Sequence, residues 1–75
     1  MTIPFFMLIR TKKGKSFSVV QAVLKVEGIK VAHSVVGSYD VILYAEGKDL
    51  DDVRRIRETI HKLEAVVRTE TAIHA

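Results

Sequence analysis

The sequence predicts an α+β fold of the ferredoxin-like kind, βαββαβ, with a four-stranded antiparallel sheet and two helices on one of its faces. Three observations predict it. Strand-like and helix-spaced segments follow one another in the order strand-helix-strand-strand-helix-strand. The first and third strands are the most apolar, and this topology puts them at the centre of the sheet. Lys30, His33, Arg68 and Glu70 fall on the second and fourth strands, which it puts at the edges.

Residues 3–12 read as the first strand: Ile3, Phe5, Met7 and Ile9 point one way, Phe6 and Leu8 the other, so both faces are apolar. Gly14 breaks the pattern. Ser16 is the expected N-cap of a helix over about 17–27, with Phe17, Val20 and Leu24 on its apolar stripe and Gly28 at the stop position. Residues 29–37 form the second strand, interrupted by Lys30, His33 and Ser34. Residues 40–46 form the third, again apolar on both faces.

The second helix has the clearest signals. Asp49 is its N-cap, and Asp51 and Asp52 sit in the first turn, where the helix dipole favours negative charge. Val53, Ile56, Ile60 and Leu63 recur at helical spacing, and Lys62 falls in the last turn. Residues 66–74 form the last strand, with Val67, Thr69, Thr71 and Ile73 on one face.

Two helices cover only one face of such a sheet. The other face, built from alternate residues of doubly apolar central strands, has nothing in the chain to pack on, and a bare patch of this kind marks an interface. A homodimer pairing sheet against sheet is the simplest solution. Size points the same way. At 75 residues the chain makes one domain, 1–75, and a domain this small buries only about 60% of the surface its unfolded chain exposes. It has no cysteine, which excludes disulfides and thiolate metal sites, while 48% of its residues are hydrophobic. No targeting signal is evident, and the apolar run at residues 3–9 is far short of a membrane span. The expected setting is therefore the cytoplasm. Asn is absent and Gln21 is the only glutamine, a composition poor in thermolabile amides that leans towards a thermophilic source.

Most chemical motifs fail on inspection. Gly14-Lys15-Ser16 ends like a phosphate-binding loop, but Ile9 stands where its first glycine belongs. His33, His61 and His74 have no metal-ligand spacing, and helix capping accounts for Asp49, Asp51 and Asp52. Arg54, Arg55 and Arg57 read as a solvated face laced by Asp51–Arg55 and Glu58–Lys62 pairs four residues apart. The net charge of +3 is modest, and the third strand carries Asp40 and Glu46 with no lysine or arginine, unlike an RNA-recognition strand. No serine stands in a recognisable relation to a histidine. No cofactor, metal, direct nucleic-acid contact or membrane contact is implied.

One stretch remains: Gly37-Ser38-Tyr39-Asp40, which interrupts two apolar strands. It suits a tight hairpin, since glycine supplies positive φ and serine and aspartate are turn residues. It also leaves an acid beside a strand, costly unless something pairs with it.

Gly-x-Tyr-Asp before an apolar strand, then an acid-capped helix, then Val66-Val67-Arg68-Thr69-Glu70-Thr71, resembles the effector-binding (RAM) domain of the Lrp/AsnC, or feast/famine, transcription regulators over nearly the whole chain. The resemblance implies dimers paired sheet to sheet, assembled into rings commonly of four dimers, an octamer. It implies a free amino acid bound between neighbouring dimers near the hairpin, with effects on assembly and transcription. Carried onto this sequence, Gly37, Ser38 and Tyr39 shape the pocket, Asp40 receives the ligand's ammonium group, and Thr69 and Thr71 contribute hydroxyls. Two departures stand out: Ala65-Val66 replaces the family's Gly-Val, and no helix-turn-helix half precedes the first strand. The expectation is thus a stand-alone effector module, not an enzyme, acting on transcription by mixing with full-length Lrp/AsnC relatives.

Two alternatives share the fold. One is a small dimeric enzyme of the monooxygenase or isomerase type, with Asp40, Tyr44 or His33 as acid–base groups in a deep cavity. The other is an ACT-like amino-acid sensor.

Overall fold

The computed structural model describes residues 1–74. It contains β1 (Ile3–Thr11), α1 (Ser16–Val23), β2 (Ile29–Ser34), β3 (Val41–Gly47), α2 (Leu50–His61) and β4 (Val66–Ile73). The strands form one antiparallel sheet in the order β2-β3-β1-β4, so the two most apolar strands are central, as their composition predicts.

The core lies between the sheet and the helices. Phe5, Met7 and Ile9 of β1, with Val41, Leu43 and Ala45 of β3, face Val19, Val20 and Val23 of α1 and Val53, Ile56 and Ile60 of α2, all of them buried. In α2 the sequence pattern holds in detail. Asp49 caps it, accepting from the Asp52 N–H at 2.8 Å, and Leu63 packs against the core just beyond its end.

In α1 the expected pattern is off. Lys15 occupies the N-cap position, Ser16 is the first helical residue, and its hydroxyl oxygen accepts from Ser34 Oγ at 3.1 Å. The buried face runs through Val19, Val20 and Val23, while Phe17 is 71% and Leu24 44% exposed. The larger side chains drew the expected stripe, but compact β-branched residues fill the narrow space beneath the sheet. The helix also ends at Val23, because Lys25 and Val26 donate to Ala22 and Val23, three residues back, which tightens the chain out of the α-helix.

β4 is similarly shifted. The register runs unbroken to Arg10↔Arg68, and a bulge between Arg10 and Thr11 then shifts it, so that Thr11 pairs with Val66. Val66 therefore packs on the core and Val67 is left 60% exposed, in place of the expected Val67-Thr69-Thr71-Ile73 face. Thr69, Thr71 and Ile73 keep the helix side, opposite Ile9, Met7 and Phe5. Among the described residues no non-glycine has positive φ, so Ala65 makes its turn without needing glycine.

The second face of the sheet is open, as expected. Phe6 and Leu8 of β1, Ile42 and Tyr44 of β3, Val31 of β2 and Ala72 of β4 are adjacent across it, with Phe6 45% and Val31 46% exposed. The Phe6 and Tyr44 rings lie 5.2 Å apart in a tilted pair. Among the described residues, no helix is long and apolar enough to cross a membrane.

Candidate functional site

The connection between β2 and β3 is longer than a tight hairpin, because β2 stops at Ser34 and β3 starts at Val41. It is nonetheless pinned at several points. The Val35 N–H donates to the Asp40 carbonyl and the Asp40 N–H to the Ile9 carbonyl, each at 2.9 Å. Gly37 has φ of 145°, which disfavours any residue with a Cβ, although no atom lies within 4 Å of where that Cβ would stand. Its role is conformational.

The acid of this loop is not idle. Ile9↔Val41 is the last pair of the β1–β3 register, and past it the Thr11 N–H donates to Asp40 Oδ2 at 2.8 Å. The carboxylate thus satisfies a donor on a buried residue, Thr11 being only 8% exposed. Among the described residues, only this donor reaches the Asp40 side chain, and it takes one of two oxygens.

Two more bonds tie the loop to the sheet. Arg10 Nη2 donates to the Ser38 carbonyl, and the Tyr39 hydroxyl donates to Glu70 Oε2 at 2.8 Å. Ser38 is therefore held by its backbone rather than its hydroxyl. The bond to Glu70 favours the neutral phenol and, with some burial and the charge of Glu70, raises the Tyr39 pKa, against the opposing pull of Arg68 and Arg10. Arg10 and Arg68 are direct cross-strand partners, a pairing unfavourable in itself. The Ser38 carbonyl and the nearby Glu70 carboxylate offset it.

Thr69 and Thr71 lie elsewhere. They are on the helix side of β4, in an open groove of about 850 Å³ between β4 and α2, lined also by Arg57, Glu58, His61, Lys62 and Glu70. His61 Nε2 is in hydrogen-bond contact with Thr69 Oγ1. The predicted residues therefore form two groups: the Gly37–Asp40 loop at one end of β1, and the threonine pair on the side of β4 that faces α2. Glu70, between the threonines in sequence, is the link, since its carboxylate reaches Tyr39.

Arg57 and His61 were not legible as site residues. Their four-residue spacing puts them on one helix face, but nothing in the sequence shows which strand that face meets. The expected Asp51–Arg55 and Glu58–Lys62 lacing is also replaced. Asp51 pairs with Arg54 at 3.5 Å and Asp52 with Arg55 at 2.8 Å, while Arg55 also donates to the Glu27 carbonyl at 3.1 Å. Three-residue spacing wins because the Asp52 carboxylate is already fixed at the helix start by the Lys48 N–H, which with Arg55 lowers its pKa.

His33 and Tyr44 do not face an internal cavity. They stand on the open sheet face, on neighbouring strands, and the Tyr44 hydroxyl donates to Glu46 at 3.0 Å, which raises the tyrosine pKa.

Comparison with known proteins gives the family and the fold. The family described as Lrp/AsnC ligand binding domain matches residues 5–74. A protein from Pyrococcus horikoshii, PHS023, is 33% identical; the match covers 100% of this chain and 90% of that one, with a TM-score of 0.89. FFRP-DM1 is 32% identical, with 97% of this chain and 99% of that one covered and a TM-score of 0.91. The transcriptional regulator NMB0573 of Neisseria meningitidis, solved in complex with L-Met, has the same fold at 16% identity and a TM-score of 0.84; 97% of this chain covers 49% of it. No curated protein matches the chain. The Pyrococcus relative is in keeping with the thermophilic lean of the composition.

Proposed function

Because the chain belongs to the Lrp/AsnC ligand-binding domain family, we propose that it is a regulatory effector module that binds a free amino acid and couples binding to assembly. It catalyses no reaction. Its open sheet face pairs with a second copy, and the resulting dimers join into a larger ring such as an octamer. It acts on transcription indirectly, by association with full-length Lrp/AsnC subunits that carry DNA-binding halves, and it works in the cytoplasm.

The observation that carries the proposal is the fixed Gly37–Asp40 loop, held to β1 and β4 by four of its backbone and side-chain groups. A loop locked in this way presents polar groups at defined positions, which a small polar ligand needs. Gly37 and Ser38 shape the wall, Tyr39 and Glu70 form its floor, and the second Asp40 oxygen receives the ligand's ammonium group in a charge-assisted bond. Thr69 and Thr71 lie on the far side of β4 from Tyr39, so one ligand meets both groups only where two subunits abut. The L-Met bound to the Neisseria regulator of the same fold supports an amino acid as the effector class.

A thermal-shift screen of the twenty amino acids tests this function. The expected result is stabilisation by one amino acid or a few of related side chain. Uniform silence at millimolar concentrations refutes the effector role.

A further inference from the structure

The α2–β4 groove carries more than the two threonine hydroxyls. Arg57 lies on the exposed side of α2 beside the buried Ile56, and its neighbours Arg54 and Arg55 are both engaged, with Asp51 and Asp52 respectively. Among the described residues Arg57 has no ion-pair partner, and it lines the groove together with Lys62 and His61. The acids on that wall are Glu58 and Glu70, and the Glu70 carboxylate is already bonded to the Tyr39 hydroxyl. His61 holds the Thr69 hydroxyl, so that group is oriented before any ligand arrives. A planar guanidinium free to form a two-pronged contact, next to a fixed hydroxyl, is the arrangement that recognises a carboxylate.

We propose that the α2–β4 groove receives the carboxylate end of the effector, with Arg57 as the principal contact and Thr69 and Thr71 as supporting hydrogen-bond donors. The assignment rests on the effector function above and deepens it by fixing how the ligand is oriented. The ammonium end lies towards Asp40 of the neighbouring subunit's loop, and the carboxylate end lies against α2. A ligand lacking a free carboxylate then binds more weakly whatever its side chain, because it cannot form the pair with Arg57.

Calorimetric titration of the full chain with the most stabilising amino acid of the screen, and with the amide of that same amino acid, tests the orientation. The variants are Arg57→Gln, which removes the guanidinium, and Lys25→Gln, which removes one positive charge from the exposed surface away from the groove. Loss of a charged hydrogen bond weakens binding by roughly ten- to a hundredfold, so that is the expected effect of Arg57→Gln on the amino acid. Lys25→Gln leaves the affinity unchanged, and the amide binds the unsubstituted chain no better than the amino acid binds Arg57→Gln. Equal affinity of Arg57→Gln and the unsubstituted chain overturns the groove assignment and leaves the effector function standing. No heat of binding from any amino acid to the unsubstituted chain overturns both.

Discussion

Removing the Asp40 side chain separates its part in the fold from its part in binding. Asp40 Oδ2 accepts the Thr11 N–H at 2.8 Å, and Thr11 is a buried residue. In Asp40→Ala that donor loses its acceptor, at a cost of about 1–3 kcal/mol. For a domain of this size each kcal/mol moves Tm by roughly 4–8 °C, so the ligand-free variant melts well below the unsubstituted chain. Asp40→Asn keeps a carbonyl oxygen where Oδ2 stands and loses only the charge assistance, so its cost is about half as large. Thermal denaturation followed by circular dichroism, at one protein concentration because assembly also shifts Tm, reads both values. Ligand-induced shifts are then taken from each variant's own baseline, and Asp40→Asn shows a diminished shift because the ammonium has lost its counter-charge. Coincident melting of Asp40→Ala and the unsubstituted chain would refute the structural role. An Asn variant as damaged as the Ala variant would show that charge, not the acceptor, is what matters.

In a Tyr44→Phe background Tyr39 is the only tyrosine, and its ionisation, followed by ultraviolet absorbance, is expected above the ordinary 10.0. Because the folded value is raised, the Tyr39–Glu70 bond contributes fully below the unfolded pKa, and its contribution is lost as pH rises through the folded value. Adding Glu70→Gln brings the transition back towards the ordinary value, and an unmoved titration curve counts against the bond. Gly28 has φ of 103°, and a Cβ there would stand 2.7 Å from the buried Ile56 Cδ1 and 3.1 Å from the Glu46 carbonyl. Gly28→Ala therefore costs about 1–3 kcal/mol in urea denaturation, and a neutral substitution would show that the turn relaxes freely.

The sheet order and the α2 register could be read from the sequence because the pattern there is redundant: Asp49, Asp51 and Asp52 mark the start of the helix, and Val53, Ile56 and Ile60 mark its buried face. The α1 register could not, since a helix with both Phe17 and Val19 offers two apolar stripes, and only the space under the sheet selects the valines. The Gly-x-Tyr-Asp loop stood out through its composition, but its length and anchoring did not. The partners of Asp40 and Tyr39, Thr11 and Glu70, are about thirty residues away and are brought close by strand pairing. The β4 bulge that exposes Val67 and pairs Thr11 with Val66 has no local sequence mark. Arg57 and His61 belong to the groove only because α2 lies against β4, a tertiary fact that periodicity does not carry.

Sedimentation velocity at micromolar concentration, with and without the stabilising amino acid, bears most directly on a ligand-responsive assembly built on the open sheet face. Phe6, at the middle of that face and 45% exposed, supplies the control, because Phe6→Glu places a charge where two sheets meet. The unsubstituted chain is expected to sediment as a dimer or larger species whose distribution shifts when ligand is added, and Phe6→Glu as a folded monomer. A sharp monomer boundary for the unsubstituted chain, unchanged by any amino acid, would contradict such an assembly.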